Sequence, residues 1–582
     1  MQKTVDFCVL MWYAKISIIS KEQERMIPMK KCISLLLAFA LLLTLALPAA
    51  AEENPANEPT PIVYLRGNSE HLYDADGNEV IADVGDLKLG GTGGPDSGKI
   101  VEAVVNILKP FLTEGLLFDR WDNYGQAIYD EISPLFATAI LDENGDPRYG
   151  SGISPEIQAQ SEQIAATEQI QNGRYGFYSY GFRFDWRLDP YVHVDRLHTF
   201  IKTVLQATGK KQVSLASRCL GGSLMTAYLE KYGGEGLVKN AMYCETLGNG
   251  CTMISKGFSG QIDFDAANIQ RYYGQVTFCE EIGRGFGIDI PVIADEVVQK
   301  TLDLMVQNGQ MDRFCGRMET LAGRLYKALI PALFFAVGYG TQPIYWTFVA
   351  EEDFDRALNV MFGEEGSEKR TQYAGLIEKI LYYRAHVTSQ RNALYRKFSE
   401  DYGIHMGVIA KYGLLNVPIL AGNDELSDSL ASLKDASLGA TCAKIDTTLP
   451  QDYIEQQTAA GFGEYISADN QVDLSTAMFP ETTWVIKNIH HDDFEEACRP
   501  LAELFLNGTD VTVDNSGYAR FRVNDYAAGT ITPMTAENCG ALAYMTRPLP
   551  MPTFQTRLQA LIDWFRVIGK LIAALFKGEL QM

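Results

Sequence analysis

The sequence predicts an α/β protein: a mostly parallel central sheet with helices on both faces, interrupted by a helical insertion. Three observations carry this expectation. Pro61-Ile62-Val63-Tyr64-Leu65 is an apolar run that ends in the loop Arg66-Gly67-Asn68-Ser69, the pattern of a strand buried inside a parallel sheet. Between 194 and 246 the pattern runs helix, strand, helix, strand, the signature of βαβ units. From 256 to 410 helical periodicity dominates, and strand signals return only afterwards.

Taken in order, residues 1–28 read as an extension upstream of a true start at Met29. Residues 29–51 place Lys30 and Lys31 before the apolar run Leu35 to Leu47 and the small residues of Pro48-Ala49-Ala50-Ala51. Basic, apolar, small is the order of a secretory signal peptide, and the apolar run is short for a membrane span. The expected location is therefore secreted or extracytoplasmic. Residues 52–255 are expected to form the first part of the core. Within them Leu197, Phe200, Ile201, Val204 and Leu205 share one helical face, and Gly209 ends that helix. Val213 to Ala216 is a short buried strand, Gly221 to Tyr232 a helix, and Ala241 to Cys244 the next strand. The insertion, 256–410, is expected to cap a site. Residues 411–545 should complete the core with strands at Val417 to Ala421, Glu464 to Ser467 and Thr483 to Lys487. In the tail, 546–582, Leu558, Leu561, Ile562, Phe565, Ile568, Leu571, Ile572 and Leu575 form an apolar face flanked by basic residues. Such a helix can lie on a membrane surface or dock on the core.

Composition narrows the function classes. The chain has 582 residues, 47% of them hydrophobic, and a formal net charge of −23. Lys and Arg are too few to neutralise phosphates, so nucleic acid is excluded as an expected partner. The eight cysteines after Ala51 form no CxxC pairs, so no zinc site is expected, and no metal or organic cofactor is implied.

The segment Val213-Ser-Leu-Ala-Ser-Arg-Cys-Leu-Gly-Gly222 joins the short strand to the following helix. In α/β-hydrolases a strand turns sharply into a helix at G-x-S-x-G, and small residues flank a nucleophilic serine. Here Ser217 and Gly221 take the small positions and Cys219 the nucleophile position, giving S-x-C-x-G. A cysteine at a helix N-terminus has its thiolate stabilised by the helix dipole and free N–H groups. In this fold the order along the chain is nucleophile, acid, histidine. Only His490 and His491, of seven histidines, lie late enough to be the base.

Tyr180-Gly-Phe-Arg-Phe-Asp-Trp-Arg-Leu-Asp-Pro190 resembles the YDWRL-P segment of lecithin:cholesterol acyltransferase-like proteins. Pro61 to Ser69 resembles their first strand and oxyanion loop, and Leu72-Tyr-Asp-Ala-Asp-Gly77 the stretch that follows. Asp469-Asn-Gln-Val472 resembles their D-G-T-V acid motif, and Asn488-Ile-His-His491 their final G-x-x-H. The elbow serine of that family is absent. The resemblance implies Asp469 as the acid, with Asp424, just after the expected strand 417–421, as an alternative and Asp473 as a third choice. It favours His491 over His490. The oxyanion hole would be formed by the backbone N–H of Leu220 and one from the Asn68-Ser69 loop. The expected function is a secreted acyl hydrolase or acyltransferase acting on a lipid-like ester through a Cys-His-Asp triad. The alternative is a catalytically inactive extracellular binding protein of the same fold.

Overall fold

The computed structural model describes residues 59–67, 71–74, 76–80, 97–148, 150–154, 170–171, 173–247, 249–275, 303–525 and 528–540. The expected extension 1–28, signal peptide 29–51 and amphipathic tail fall outside these residues, as do Asn68 and Ser69.

Eight strands form the central sheet: β1 (Ile62–Leu65), β2 (Tyr180–Phe182), β3 (Val213–Cys219), β4 (Val238–Thr246), β5 (His405–Tyr412), β6 (Thr483–Lys487), β7 (Phe521–Asp525) and β8 (Thr530–Pro533). Their spatial order is β8-β7-β6-β5-β4-β3-β1-β2. Every neighbouring pair is parallel except β7 with the edge strand β8. The chain leaves β1 to one side, forms β2, and returns on the other side as β3. The carboxyl ends of β1 and β3 therefore flank a switch point, where open α/β sheets place their ligands.

The strands form where the sequence is most apolar. All four residues of β1 and the first five of β3 are buried. Six described helices frame the site and the region beside it: α1 (Asp122–Ile132), α2 (Pro190–Thr208), α3 (Gly221–Tyr232), α4 (Gln310–Ala336), α5 (Ala374–His386) and α6 (Arg499–Asn507). Helix α2 shows how local chemistry sets an element. Asp189 accepts the Tyr191 N–H at 3.1 Å, Pro190 occupies the first turn, and Gly209 ends the helix at φ 67°. Its buried face includes Val194, Leu197, Phe200, Ile201 and Val204, the last four of which the spacing alone predicts, while Leu205 is half-buried.

Three expectations need correction. The region between β4 and β5 is helical, but its end at 410 runs into β5, which begins at His405. Val417 to Ala421 is not a strand: Pro418 lacks an N–H for a ladder, and the Ala421 N–H instead bonds the Gln261 carbonyl at 2.9 Å. Glu464 to Ser467 likewise forms a tight 3-10 turn and coil. Thr483 to Lys487 is a strand with the expected bounds. The helical region does not stand apart. Ile344, Trp346, Leu358, Tyr383 and Tyr395 belong to the same continuous core as Val63, Leu215 and Val485.

Candidate functional site

Cys219 is the last residue of β3, and α3 begins two residues later. Turning from strand to helix in so few residues drives Cys219 into the left-handed region, at φ 47°. A non-glycine residue held there is strained by about 1–3 kcal/mol, and such strain concentrates at sites. The turn is locked from two sides. A Cβ on Gly221 would stand 2.3 Å from the Leu65 carbonyl oxygen, so β1 packs where only glycine fits. A Cβ on Gly67 would stand 2.9 Å from the Cys219 Cβ and 3.6 Å from its sulfur. The Cys219 carbonyl is held in turn by the Leu247 N–H at 3.2 Å and the Thr246 hydroxyl at 3.3 Å.

His491 stands four residues past the end of β6 and is buried. Its Nδ1 lies 2.8 Å from Oδ2 of Asp428, a carboxylate with no exposed surface. The two residues are also joined through the backbone, the His491 N–H donating to the Asp428 carbonyl at 3.1 Å. Asp428 Oδ1 accepts the N–H groups of Leu430 at 3.1 Å and Ala431 at 2.7 Å. Burial pushes the Asp428 carboxyl up, but the His491 charge and hydrogen bond, the Ala431 amide and the Lys411 charge leave it below the usual carboxylate value. Burial pushes the His491 imidazole down. The Asp428 charge and hydrogen bond, followed by the Cys219 side chain, more than reverse this and leave it well above its ordinary value. Nε2, the other ring nitrogen, is buried and makes no fully formed hydrogen bond. Cys219 is thus a polar neighbour of the ring without a well-aligned bond to it, as is common in sites that tighten on ligand binding.

The acid beside His491 is Asp428, not the expected Asp469. Asp469 Oδ2 accepts the Tyr412 hydroxyl and the Lys487 ammonium, each at 2.7 Å, and Oδ1 accepts the Ser467 hydroxyl. That network is filled and holds the loop before β6. Asp424 pairs with Lys444, and Asp473 accepts the Tyr453 hydroxyl at 2.8 Å. His490 is half-exposed, with Nδ1 3.8 Å from the Asp492 carboxylate. Leu220 is buried in the turn after Cys219. Asp428 was hidden in the sequence by two signals, the strand expected at Val417 to Ala421 and the likeness of Asp469-Asn-Gln-Val472 to D-G-T-V. With β5 ending at Tyr412, the next loop is where a carboxylate is sought, and it contains Asp428.

A second buried group braces the same loop. The Lys411 ammonium donates to the carbonyls of His490 at 3.1 Å, His491 at 3.0 Å and Asp493 at 2.7 Å, and pairs with Glu245. Glu245 also pairs with Arg218 at 2.9 Å, the residue before Cys219. The Arg218 guanidinium lies over the Phe494 ring, 4.3 Å from its centre. One charged chain therefore ties the turn at Cys219 to the loop of His491.

The DWR segment is structural. Arg187 binds Asp185 through Nε at 2.9 Å and Nη2 at 2.6 Å, and reaches the Thr138 and Ser151 carbonyls at 3.0 Å each. His193 Nε2 lies 2.9 Å from the Asp185 carbonyl. Among the described residues seven cysteines are free thiols, no group of side chains is arranged to hold a metal ion, and no helix is long and apolar enough to cross a membrane. Comparison with protein-family models, curated proteins and solved structures finds no match.

Proposed function

We propose that the protein has the α/β-hydrolase fold, with the helical region between β4 and β5 as its cap. In this reading it is an exported acyl hydrolase or acyltransferase whose triad is Cys219, His491 and Asp428. The observation that carries the reading is His491 itself. Its Nδ1 is fixed by a buried carboxylate at 2.8 Å, its Nε2 is unspent, and its neighbour is a thiol on a strained strand-to-helix turn. Each group comes from the carboxyl end of a parallel strand, β3, β5 or β6.

In the first half-reaction Nε2 takes the thiol proton, and the sulfur attacks the ester carbonyl carbon. Asp428 holds Nδ1–H and so fixes the tautomer that leaves Nε2 as the acceptor. The Leu220 N–H and a donor from the loop after Gly67 would hold the oxyanion. The carbonyl–oxygen bond to the leaving alcohol then breaks, His491 returns the proton to that oxygen, and the acyl group remains on sulfur as a thioester. In the second half-reaction His491 takes a proton from water or an acceptor alcohol, the new oxygen attacks, and the thiol leaves with the proton. The likeness of residues 180–190 and of the motif order to lecithin:cholesterol acyltransferase-like proteins favours a lipid-like ester as substrate.

The test is acyl labelling. Incubation with p-nitrophenyl esters of graded chain length, followed by peptide mass spectrometry, should place one acyl group on Cys219 and none in Cys219→Ala. Wild-type protein that stays unlabelled and turns over no ester in the series would leave a non-catalytic binding protein as the better reading.

A further inference from the structure

A cleft of about 490 Å³ opens between α1, α4 and the segment 368–373, and none of its lining residues belongs to the Cys219 site. Its most unusual member is Lys369. The side chain is part-buried, and its ammonium stands 4.0 Å above the centre of the Phe335 ring. Burial alone moves its pKa down, to about 8, with no carboxylate among the described residues offsetting the loss of water. A part-buried cation in a cleft, stacked on a ring and with no carboxylate paired to it among the described residues, is a group placed to receive an anion. At neutral pH it is still mainly charged. The walls around it are largely polar, with Gln126 and Gln372 among them, but three rings stand in them: Tyr129 and Phe335 line the cleft with Tyr373, whose ring meets that of Phe335 edge-on at 5.2 Å. A second cation, Lys327, lines the same space, and so does one carboxylate, Asp122.

We propose that this cleft binds a small monocarboxylate with an apolar or aromatic body, its carboxylate on Lys369 and its body among Tyr129, Phe335 and Tyr373. The volume falls within the range of small-molecule sites, about 300–1,000 Å³. With two lysines against one carboxylate the cleft attracts anions, and the rings of Tyr129, Phe335 and Tyr373 favour one with an apolar body over inorganic phosphate. The site does not depend on the acyl-transfer reading and survives if that reading fails.

The test uses the full chain at neutral pH with benzoate, octanoate, benzyl alcohol and inorganic phosphate. Calorimetry should show saturable binding of the two carboxylates, weakened about tenfold or more in Lys369→Met and retained in Lys369→Arg. Independently, an amine-reactive sulfonate reagent read by peptide mass spectrometry should modify wild-type Lys369 at lower pH than other lysines, and benzoate should slow that modification. The proposal is overturned if neither carboxylate saturates, if Lys369→Met binds them as wild type does, or if benzyl alcohol binds as well as benzoate. Phosphate protecting Lys369 better than benzoate overturns the monocarboxylate assignment. Should Lys369→Met fail to fold, protection of wild-type Lys369 decides alone.

Discussion

Asp428 and Asp469 are both buried carboxylates with a cationic neighbour, yet they are built for different work. Asp428 spends one oxygen on two backbone N–H groups and the other on a single imidazole. Asp469 spends its oxygens on a lysine, a tyrosine, a serine and the Gln471 N–H, with no imidazole among them. Replacing Asp428 with Asn removes the charge that supports a protonated His491. The acylation rate of Cys219 should fall by about 10²–10⁴-fold while the fold is retained. Asp469→Asn leaves the Lys487 ammonium buried with a weaker partner. It should cost up to about 3 kcal/mol in denaturant unfolding and leave the acylation rate of the folded protein unchanged. If the two variants exchange these phenotypes, the assignment of the acid is wrong. His491 sets a pH dependence as well. Its folded pKa is raised, so its contribution to stability is complete below its ordinary value and is lost as pH rises through the folded one.

At the scale of elements, the site depends on how closely β3 and α3 press against β1. Gly221→Ala puts a methyl 2.3 Å from the Leu65 carbonyl, so the turn must move away from β1. The expected outcome is acylation of Cys219 slowed by about 10²-fold, because a shift of about 1 Å at a reacting atom has that effect; an unchanged rate would show that the turn can absorb the methyl. This turn was legible in the sequence, because S-x-C-x-G between an apolar run and a helix leaves few alternatives. The loop of His491 was legible for the same reason, as Thr483 to Lys487 is a short continuous run with histidines just after it. Strand β5 was not. His405 and Lys411 give it polar residues at both ends, and Lys411 is buried only because Glu245 and three carbonyls receive it. Sequence periodicity carries no sign of a partner supplied by a distant strand. With the strand expected at 417–421, Asp424 took the place of Asp428 after it, while the likeness of Asp469-Asn-Gln-Val472 to D-G-T-V pointed to Asp469.

Across the whole molecule, the buried charges are coupled to the core in ways that show in bulk stability. Asp189 caps α2 from a buried position, and burial lifts its pKa to about 6 against the help of the Tyr191 N–H. A carboxyl whose folded pKa is raised contributes its stability below its unfolded value and loses it as pH rises through about 6. The loss amounts to about 3 kcal/mol between acid and neutral pH. Asp189→Asn keeps a capping side chain and removes the charge, so unfolding curves at pH 5 and 7.5 should lie closer together than in wild type. Equal pH dependence in the two proteins would show that Asp189 ionises freely.

The shared core has a consequence for anyone who wishes to shorten the chain. Joining β4 directly to β5 would uncover the faces against which Trp346, Tyr383 and Tyr395 now sit. The helical region is therefore not a cassette that can be excised or transplanted. A trimmed version would need a redesigned apolar surface over the sheet before it could be recovered in soluble form.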